Sequence, residues 1–372
     1  MTKVKLQPFC KEKILTCGLS AVTLLLAATL TSAQSLPGTE NGEWRYLGGD
    51  AGHTRSSPLD QINRTNFEDL EVKWVWRSDN FGPNLDYFAR STPIYVDGML
   101  YTVATPRRQV VAIDPETGET LWVFREPETV RHLRSPRQAY GKGVAYGEVD
   151  GRGVIYVTSP AFFLWALDAK TGLPLENWGT SVPLDGFSDT GVNDLIPPLV
   201  SDWGRWQDRA GSYDAGYGIP RELGMVTASA PPIVVNGVVV VLVGHQPSYG
   251  QTRIENVPGD IMGFDAATGE FLWKFHVIPR PGEFGHETWH NDAWQWSGDM
   301  SSGRPPLPTP SWALCTSSRM PRPSSSTLDI GRAIISSGVV CSRWTFRRVS
   351  GSGTSKFTEV ISGTTTFQLL RC

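Results

Sequence analysis

Short runs of apolar residues with strand character occupy the middle of the chain, and a common turn motif follows each of them. The runs are 92–102, 154–158 and 232–243. Downstream of each lies a copy of A-x-D-x-x-T-G-x-x-x-W. The copies span Ala112–Trp122, Ala166–Trp178, with two extra residues before the tryptophan, and Gly263–Trp273, with glycine in place of alanine. Three copies indicate a structural repeat.

Each copy predicts a strand that ends at the aspartate, a turn closed by the glycine, and a return strand whose tryptophan packs on the neighbouring sheet. The second gap between copies is longer than the first because it contains an insertion, Trp178–Leu223. Units of about 40 to 50 residues with four strands are typical of propeller blades. The sequence therefore predicts an all-β fold, a β-propeller of four-stranded antiparallel blades. Three such units do not close a ring.

Composition agrees with this fold class. The chain has 372 residues, of which 40% are hydrophobic and 19% charged, and its net charge is −3, which excludes a disordered acidic chain and a small disulfide-stapled domain. The 14 Trp, 38 Gly and 27 Pro are typical of many short strands joined by turns.

The N-terminal segment, residues 1–33, has the pattern of a secretory signal peptide. Four lysines precede a mostly apolar stretch, Ile14–Leu30, and small residues end at Ala33 before a cleavage site at Gln34. The alternative is an uncleaved membrane anchor, although the stretch is short for a spanning helix. We expect export of the mature chain.

The C-terminal segment differs in composition from the rest. Between Gly303 and Cys372 there are nine Lys or Arg against two Asp or Glu, twenty-two Ser or Thr, and three of the five Cys. Such a tail is typical of a disordered segment or of a nucleic-acid-binding arm. A third interpretation comes from the repeat.

A shift of one base near Ser302 restores the repeat. Read one base earlier, the codons of Cys341–Lys356 are compatible with a segment that contains A-L-D-V-Q-T-G-E-R-V-W, a fourth copy of the motif. We therefore interpret residues 303–372 as an aberrant, out-of-frame tail and expect it to be disordered. The partial propeller would then span residues 34–302.

Four segments outside the repeat resemble motifs of pyrroloquinoline quinone (PQQ) dehydrogenases. They are Trp44–Leu70, Tyr140–Tyr146 (YGKGVAY), Thr227–Val235 and Pro281–Trp289 (PGEFGHETW). The docking repeat alone is not specific, because cofactor-free propellers share it. The combination covers roughly residues 40–302, and it is similar to the glucose and alcohol dehydrogenases of that family.

The resemblance implies an eight-bladed propeller, about half of which is present here, with PQQ and Ca²⁺ at the ring axis. Substrates would be aldose sugars or alcohols, and a membrane quinone or a cytochrome would accept the electrons. The adjacent Cys pair of the alcohol-oxidising branch is absent, which favours sugars. We expect a periplasmic protein, with membrane association as an alternative, and no nucleic acid partner.

Three residues match cofactor-binding positions of the family. Lys142 stands where the family has an Arg that can pair with a PQQ carboxylate, while Thr227 and Ser229 are placed like hydroxyl residues that bind another carboxylate. The structural alternatives are a solvated turn lysine and hydroxyls that cap a turn. Asp260 and Glu255 lie in the region of a metal ligand, but neither aligns, and a solvated loop is the alternative. The metal ligands stay unassigned.

Catalytic residues are expected outside the translated frame. By resemblance, the Trp that stacks on the cofactor, a metal-binding Asn or Asp and the general-base Asp would all come from shifted codons after Ser302. The chain as translated is therefore predicted to be inactive. His286 and His290 lie among tryptophans at irregular spacing, so we expect packing there rather than metal binding.

Other functional classes find less support. Residues 34–302 contain no phosphate-binding loop, no Ser-His-Asp signature, no Cys-based zinc spacing and no Gly-x-Gly-x-x-Gly that opens a helix. The competing class is a cofactor-free periplasmic scaffold of the outer-membrane protein assembly type, because such propellers use the same docking repeat. The motifs outside the repeat favour the dehydrogenase.

Overall fold

The computed structural model describes residues 37–82, 90–104, 107–138, 141–207, 213–220, 226–243, 257–295 and 297, and three strands further on. The predicted signal peptide lies outside these residues. The main elements of residues 90–275 are three four-stranded antiparallel sheets, which confirms the all-β prediction. None of the described helices is long and apolar enough to cross a membrane.

The first two sheets are meanders in which each strand pairs with its neighbour in sequence. The first consists of β1 (Ile94–Val96), β2 (Met99–Ala104), β3 (Gln109–Ile113) and β4 (Thr120–Phe124). A short helix, α1 (Val130–Arg134), follows it. The second consists of β5 (Ala145–Val149), β6 (Arg152–Thr158), β7 (Phe163–Asp168) and β8 (Val192–Asp194).

The third sheet follows two short helices in the insertion, α2 (Ile196–Val200) and α3 (Gly204–Gln207). Its strands are β9 (Ile233–Val235), β10 (Val238–Leu242), β11 (Ile261–Asp265) and β12 (Phe271–Phe275), again a meander. Short 3-10 helices are found at Glu40–Gly42, Phe67–Asp69, Asp79–Phe81, His286–Thr288 and His290–Gln295. Within the tail, β13 (Ile334–Ser336), β14 (Arg343–Val349) and β15 (Lys356–Val360) form an antiparallel sheet, and its other residues lie outside those described.

The repeat motif builds the same turn in all three sheets. In each, one carboxylate oxygen of the aspartate accepts the backbone N–H groups two and three residues later and the threonine hydroxyl. The aspartates are Asp114, Asp168 and Asp265. The turn therefore holds itself together without help from a neighbouring blade.

Tryptophans dock the first sheet onto the turn of the second and the second sheet onto the turn of the third, as predicted. The indole N–H of Trp122 donates to the carbonyl of Ala169 at 3.0 Å, and that of Trp178 donates to Ala266 at 2.9 Å. Each acceptor directly follows the repeat aspartate. A Cβ on Gly172 would lie 2.4 Å from the Trp122 ring, so the turn glycine also makes room for the indole.

One docking tryptophan has no copy of the motif before it. Trp74 donates to the carbonyl of Pro115 at 3.0 Å, in the position that Trp122 and Trp178 occupy on the later turns. Gly118 makes room for it, because a Cβ there would lie 2.7 Å from the ring. Residues 70–77 thus resemble the outermost strand of a further blade, although they pair with no strand among the described residues.

The second copy of the repeat departs from the prediction. Trp178 does not lie in a return strand, because Pro174 cannot donate to the ladder and makes only an isolated bridge with Leu167. The fourth strand, β8, comes from the insertion instead. Insertion side chains such as Leu195, Leu199 and Trp203 are buried in the core between the second and third sheets.

Candidate functional site

Loops from all three blades meet at one end of the strands. In a meander, the start of the first strand and the connection between the second and third lie at the same end of the sheet. This end carries the β2–β3 connection, the segment between α1 and β5, the β6–β7 connection and the segment before β9. The three predicted cofactor residues lie in the second and last of these segments.

The structure brings the predicted residues into contact. The backbone N–H of Lys142 donates to the carbonyl of Ser229 at 2.9 Å. Thr227 is completely buried, and its hydroxyl donates to the carbonyl of Pro160 at 3.3 Å and accepts from Ser135 at 3.2 Å. The hydroxyl of Thr227 therefore ties three loops together rather than capping a local turn.

Arg108 lies at the centre of these contacts and was not predicted from the sequence. The residue is 5% exposed, and its guanidinium donates to the carbonyl of Thr158 at 2.9 Å, to that of Arg137 at 3.2 Å, and to that of Ala228. Gly141 permits this position, because a Cβ there would lie 2.6 Å from the side chain of Arg108. A pair of arginines between two apolar strands, Arg107–Arg108, was the available signal.

A second missed arginine completes the cluster. Arg137 precedes the YGKGVAY segment, and its guanidinium donates to the Ser229 hydroxyl at 3.3 Å. Arg108 contacts the carbonyls of Ala228 and Arg137, and the backbone of Lys142 contacts that of Ser229, so three cationic residues lie on loop segments that contact one another. We refer to Arg108, Arg137, Lys142, Thr227 and Ser229 as the cationic cluster. It is rich in donors, which suits a ligand with carboxylates.

A buried carboxyl group lies close to the cluster. Glu126 is 7% exposed, and its carboxylate accepts the indole N–H of Trp165 at 2.6 Å. Burial raises the pKa of Glu126 to about 7, although hydrogen bonds from Ser159 and Trp165 and the charges of Arg131 and Arg108 act in the opposite direction. No motif in the sequence pointed to this carboxyl group.

The other residues considered as metal ligands are not part of the cationic cluster. Asp260 is fully buried, so the solvated-loop alternative is wrong for it, and burial raises its pKa to about 6. Glu255 lies outside the described residues. His286 packs edge-on against Trp294, with ring centres 5.5 Å apart, while His290 is exposed. Neither histidine joins a group of potential metal ligands among the described residues.

The fold and the site together define a class of protein. It is a β-propeller whose blades are joined by docked tryptophans and whose loops carry arginine and lysine residues at one end. The model of the PQQ glucose/ethanol/alcohol dehydrogenase β-propeller domain matches residues 44–304. The chain therefore belongs to this family of PQQ-dependent dehydrogenases, which confirms the resemblance found in the sequence.

The relatives of the chain are named after different substrates. The chain is 28% identical to the glycerol dehydrogenase large subunit of Gluconobacter oxydans (strain 621H), over 83% of this chain and 39% of that protein. It is 27% identical to quinoprotein glucose dehydrogenase A of Acinetobacter calcoaceticus, over 66% of this chain and 29% of that protein. The chain thus spans well under half the length of these curated relatives.

A solved structure shows the same fold. The quinohemoprotein alcohol dehydrogenase of Pseudomonas putida HK5 superimposes with a TM-score of 0.52 at 20% identity, over 86% of this chain and 45% of that one. The likeness supports the propeller architecture.

Proposed function

We propose that residues 34–302 form the PQQ-binding part of a periplasmic dehydrogenase that oxidises sugars or alcohols. The observation that carries the proposal is the cationic cluster, to which loops of three blades contribute. PQQ is a tricarboxylate, and arginine, lysine and hydroxyl donors are the groups that recognise carboxylates. When bound, PQQ supplies the redox chemistry by accepting the electrons of the substrate.

The residues present fit this cofactor. Lys142 and Arg137 are cations at half-buried positions, while Arg108 is fixed by three carbonyl groups. The family has an arginine at the position of Lys142. Arg137 supplies the planar guanidinium that Lys142 lacks. The five members of the cluster include no carboxylate, so Ca²⁺ would need ligands from elsewhere, and its site stays a prediction.

The substrate and partners are proposed at the level of chemical class. The absence of the adjacent Cys pair favours an aldose sugar as the substrate. The names of the relatives, which include glycerol and glucose dehydrogenases, support both polyols and sugars. A quinone or a cytochrome would accept the electrons, and export by the N-terminal signal would place the reaction in the periplasm, with or without association to the membrane.

We further propose that the translated chain is inactive. The general base, the stacking Trp and a metal ligand would be encoded after Ser302 in the shifted frame, so residues 303–372 would be an aberrant tail. Sequencing the gene through this point on independent DNA tests the idea. An intact frame would refute it.

The binding proposal is tested by titrating the protein with PQQ and following quenching of tryptophan fluorescence. Lys142→Ala and Arg137→Ala should each weaken binding about 10-fold, because each removes one charge-assisted contact. Lys170→Ala, which removes an exposed lysine on a repeat turn, should leave the affinity unchanged. Equal affinities for all these proteins would refute the assigned site.

Activity is tested separately with a frame-restored protein that is reconstituted with PQQ and Ca²⁺, by measuring dye reduction with glucose, glycerol and short alcohols. Failure of that protein to bind PQQ would favour the cofactor-free scaffold. Binding without dye reduction would instead leave the cofactor site intact and place the error in the expected catalytic residues.

A further inference from the structure

A second polar cluster lies at the junction of the insertion and the third blade. Asp202 follows α2, Asp260 directly precedes β11, and His276 directly follows β12. Because Ile261 pairs with Phe275 across the sheet, Asp260 and His276 are brought side by side by strand register. Asp202 reaches them from the insertion, and one potential ligand atom of each residue lies within 4.8 Å of the other two.

Each of the three side chains is held by one atom and directs another to the common centre. Oδ1 of Asp202 accepts from Nζ of Lys274 at 2.7 Å, and Oδ1 of Asp260 accepts from the backbone N–H of Val277 at 3.1 Å. Nδ1 of His276 contacts Oε1 of Glu283 at 2.7 Å. This is the arrangement in which outer hydrogen bonds fix the orientation of metal ligands, including the carboxylate–histidine pair.

The centre itself contains a buried acceptor without a hydrogen bond. Asp260 is fully buried, and its Oδ2 has no hydrogen-bond partner among the described residues. The nearest cation is Nη2 of Arg280, which is 3.6 Å away and itself makes no hydrogen bond in the described part of the chain. A buried carboxylate oxygen without a donor is costly unless a cation satisfies it.

We propose that Asp202, Asp260 and His276 form a binding site for a divalent transition-metal ion of the Zn²⁺ type. An imidazole with two carboxylates suits Zn²⁺, whereas Ca²⁺ prefers an all-oxygen sphere. Nε2 of His276 and Oδ2 of Asp202 are 2.5 Å apart, and they would open to roughly 3.4 Å around an ion with ~2.1 Å bonds. The site joins the insertion to the third blade and shares no residue with the cationic cluster.

The competing occupant of the centre is a proton. A protonated His276 between Asp202 and Glu283, with Lys274 and Arg280 nearby, would give a balanced ion network without metal. The two possibilities differ in what the protein retains after dialysis against metal and in which substitutions matter.

The test uses the metal-stripped full chain, titrated with Zn²⁺ against a chromophoric chelator. We expect one equivalent of Zn²⁺ and at least 100-fold weaker binding in Asp202→Asn and His276→Gln. Binding should be about 10-fold weaker in Glu283→Gln, which replaces the orienting carboxylate beside His276 by a neutral amide. Asp185→Asn, a change at an exposed carboxylate, should have no effect. Ca²⁺ should compete poorly.

Two results would overturn the proposal: the absence of Zn²⁺ binding by the unaltered chain, or binding that Asp202→Asn and Glu283→Gln leave unchanged. Both substitutions replace partly exposed side chains, with 36% and 43% exposure, so folding should survive them if His276→Gln fails to fold. PQQ titration of Asp202→Asn separates this site from the proposed function, because its affinity for PQQ should equal that of the unaltered protein.

Discussion

The buried carboxyl of Glu126 should make the stability of the propeller depend on pH. Its pKa in the folded protein is about 7 against an ordinary value of 4.5, because burial favours the neutral acid. Below about pH 4.5 the carboxyl is protonated in the folded and the unfolded chain. As the pH rises towards 7, the unfolded chain releases the proton first, so the stability contributed by the protonated group is lost through this window.

The size of the effect follows from the two pKa values. Their difference, at ~1.4 kcal/mol for each pKa unit, corresponds to about 3 kcal/mol between pH 4.5 and pH 8. Glu126→Gln keeps an oxygen that can accept from Trp165 but cannot ionise. The variant should match the unaltered protein near pH 4.5 and exceed its free energy of unfolding by up to about 3 kcal/mol at pH 8.

Urea unfolding at several pH values, followed by tryptophan fluorescence, measures this difference directly. Glu176→Gln, which replaces an exposed carboxylate in the second copy of the repeat, is the matched control. A constant difference between Glu126→Gln and the unaltered protein from pH 4.5 to pH 8 would show that folding does not shift the pKa of this carboxyl, and the reasoning from burial would fail.

Three further predictions concern packing and the cationic cluster. Gly172→Ala should destabilise the protein by several kcal/mol more than Gly151→Ala in thermal or urea unfolding. Both glycines have φ near +75°, but only Gly172 faces a ring, because a Cβ there would lie 2.4 Å from Trp122. Equal losses of stability would contradict the docking role. Tyr156→Phe should lower the free energy of unfolding by about 1 kcal/mol, since the hydroxyl donates to the buried carbonyl of Ala266 at 2.6 Å, whereas Tyr101→Phe, with a 3.2 Å bond to Ala169, should cost less. Arg108→Lys should lower stability by about 2 kcal/mol or more despite its conserved charge, because an ammonium cannot reach three carbonyl groups at once; unchanged urea midpoints would refute this.

The sequence was sufficient to predict the repeating part of the fold. The turn around Asp114 is made by residues within a few positions of it, and the same local pattern recurs at Asp168 and Asp265, so both the strand ends and the turns followed from spacing. The prediction failed where a local signal was interrupted. Pro174 and the insertion removed the second return strand, and Trp74 docks without the turn motif that would have revealed it.

The site was only partly accessible from the sequence. Lys142, Thr227 and Ser229 were found through motifs, but Arg108 depends on carbonyl groups 50 and 120 residues away in the chain. The same holds for the metal-site residues, since Asp202 and His276 are 74 positions apart and meet only because the insertion packs on the third blade. Contacts of such long range follow from blade packing, and no window of sequence contains them.

The exposed segment around Trp74 affects the tendency of the chain to aggregate during synthesis. Leu70, Val72 and Val75 are 53%, 81% and 74% exposed, so an apolar, strand-like stretch is open to association with other copies. Glu71 and Lys73 alternate with these residues and are also exposed. Charged residues within such a stretch oppose β-strand pairing between different chains. Glu71 and Lys73 should therefore slow aggregation during the time in which no other blade covers this segment.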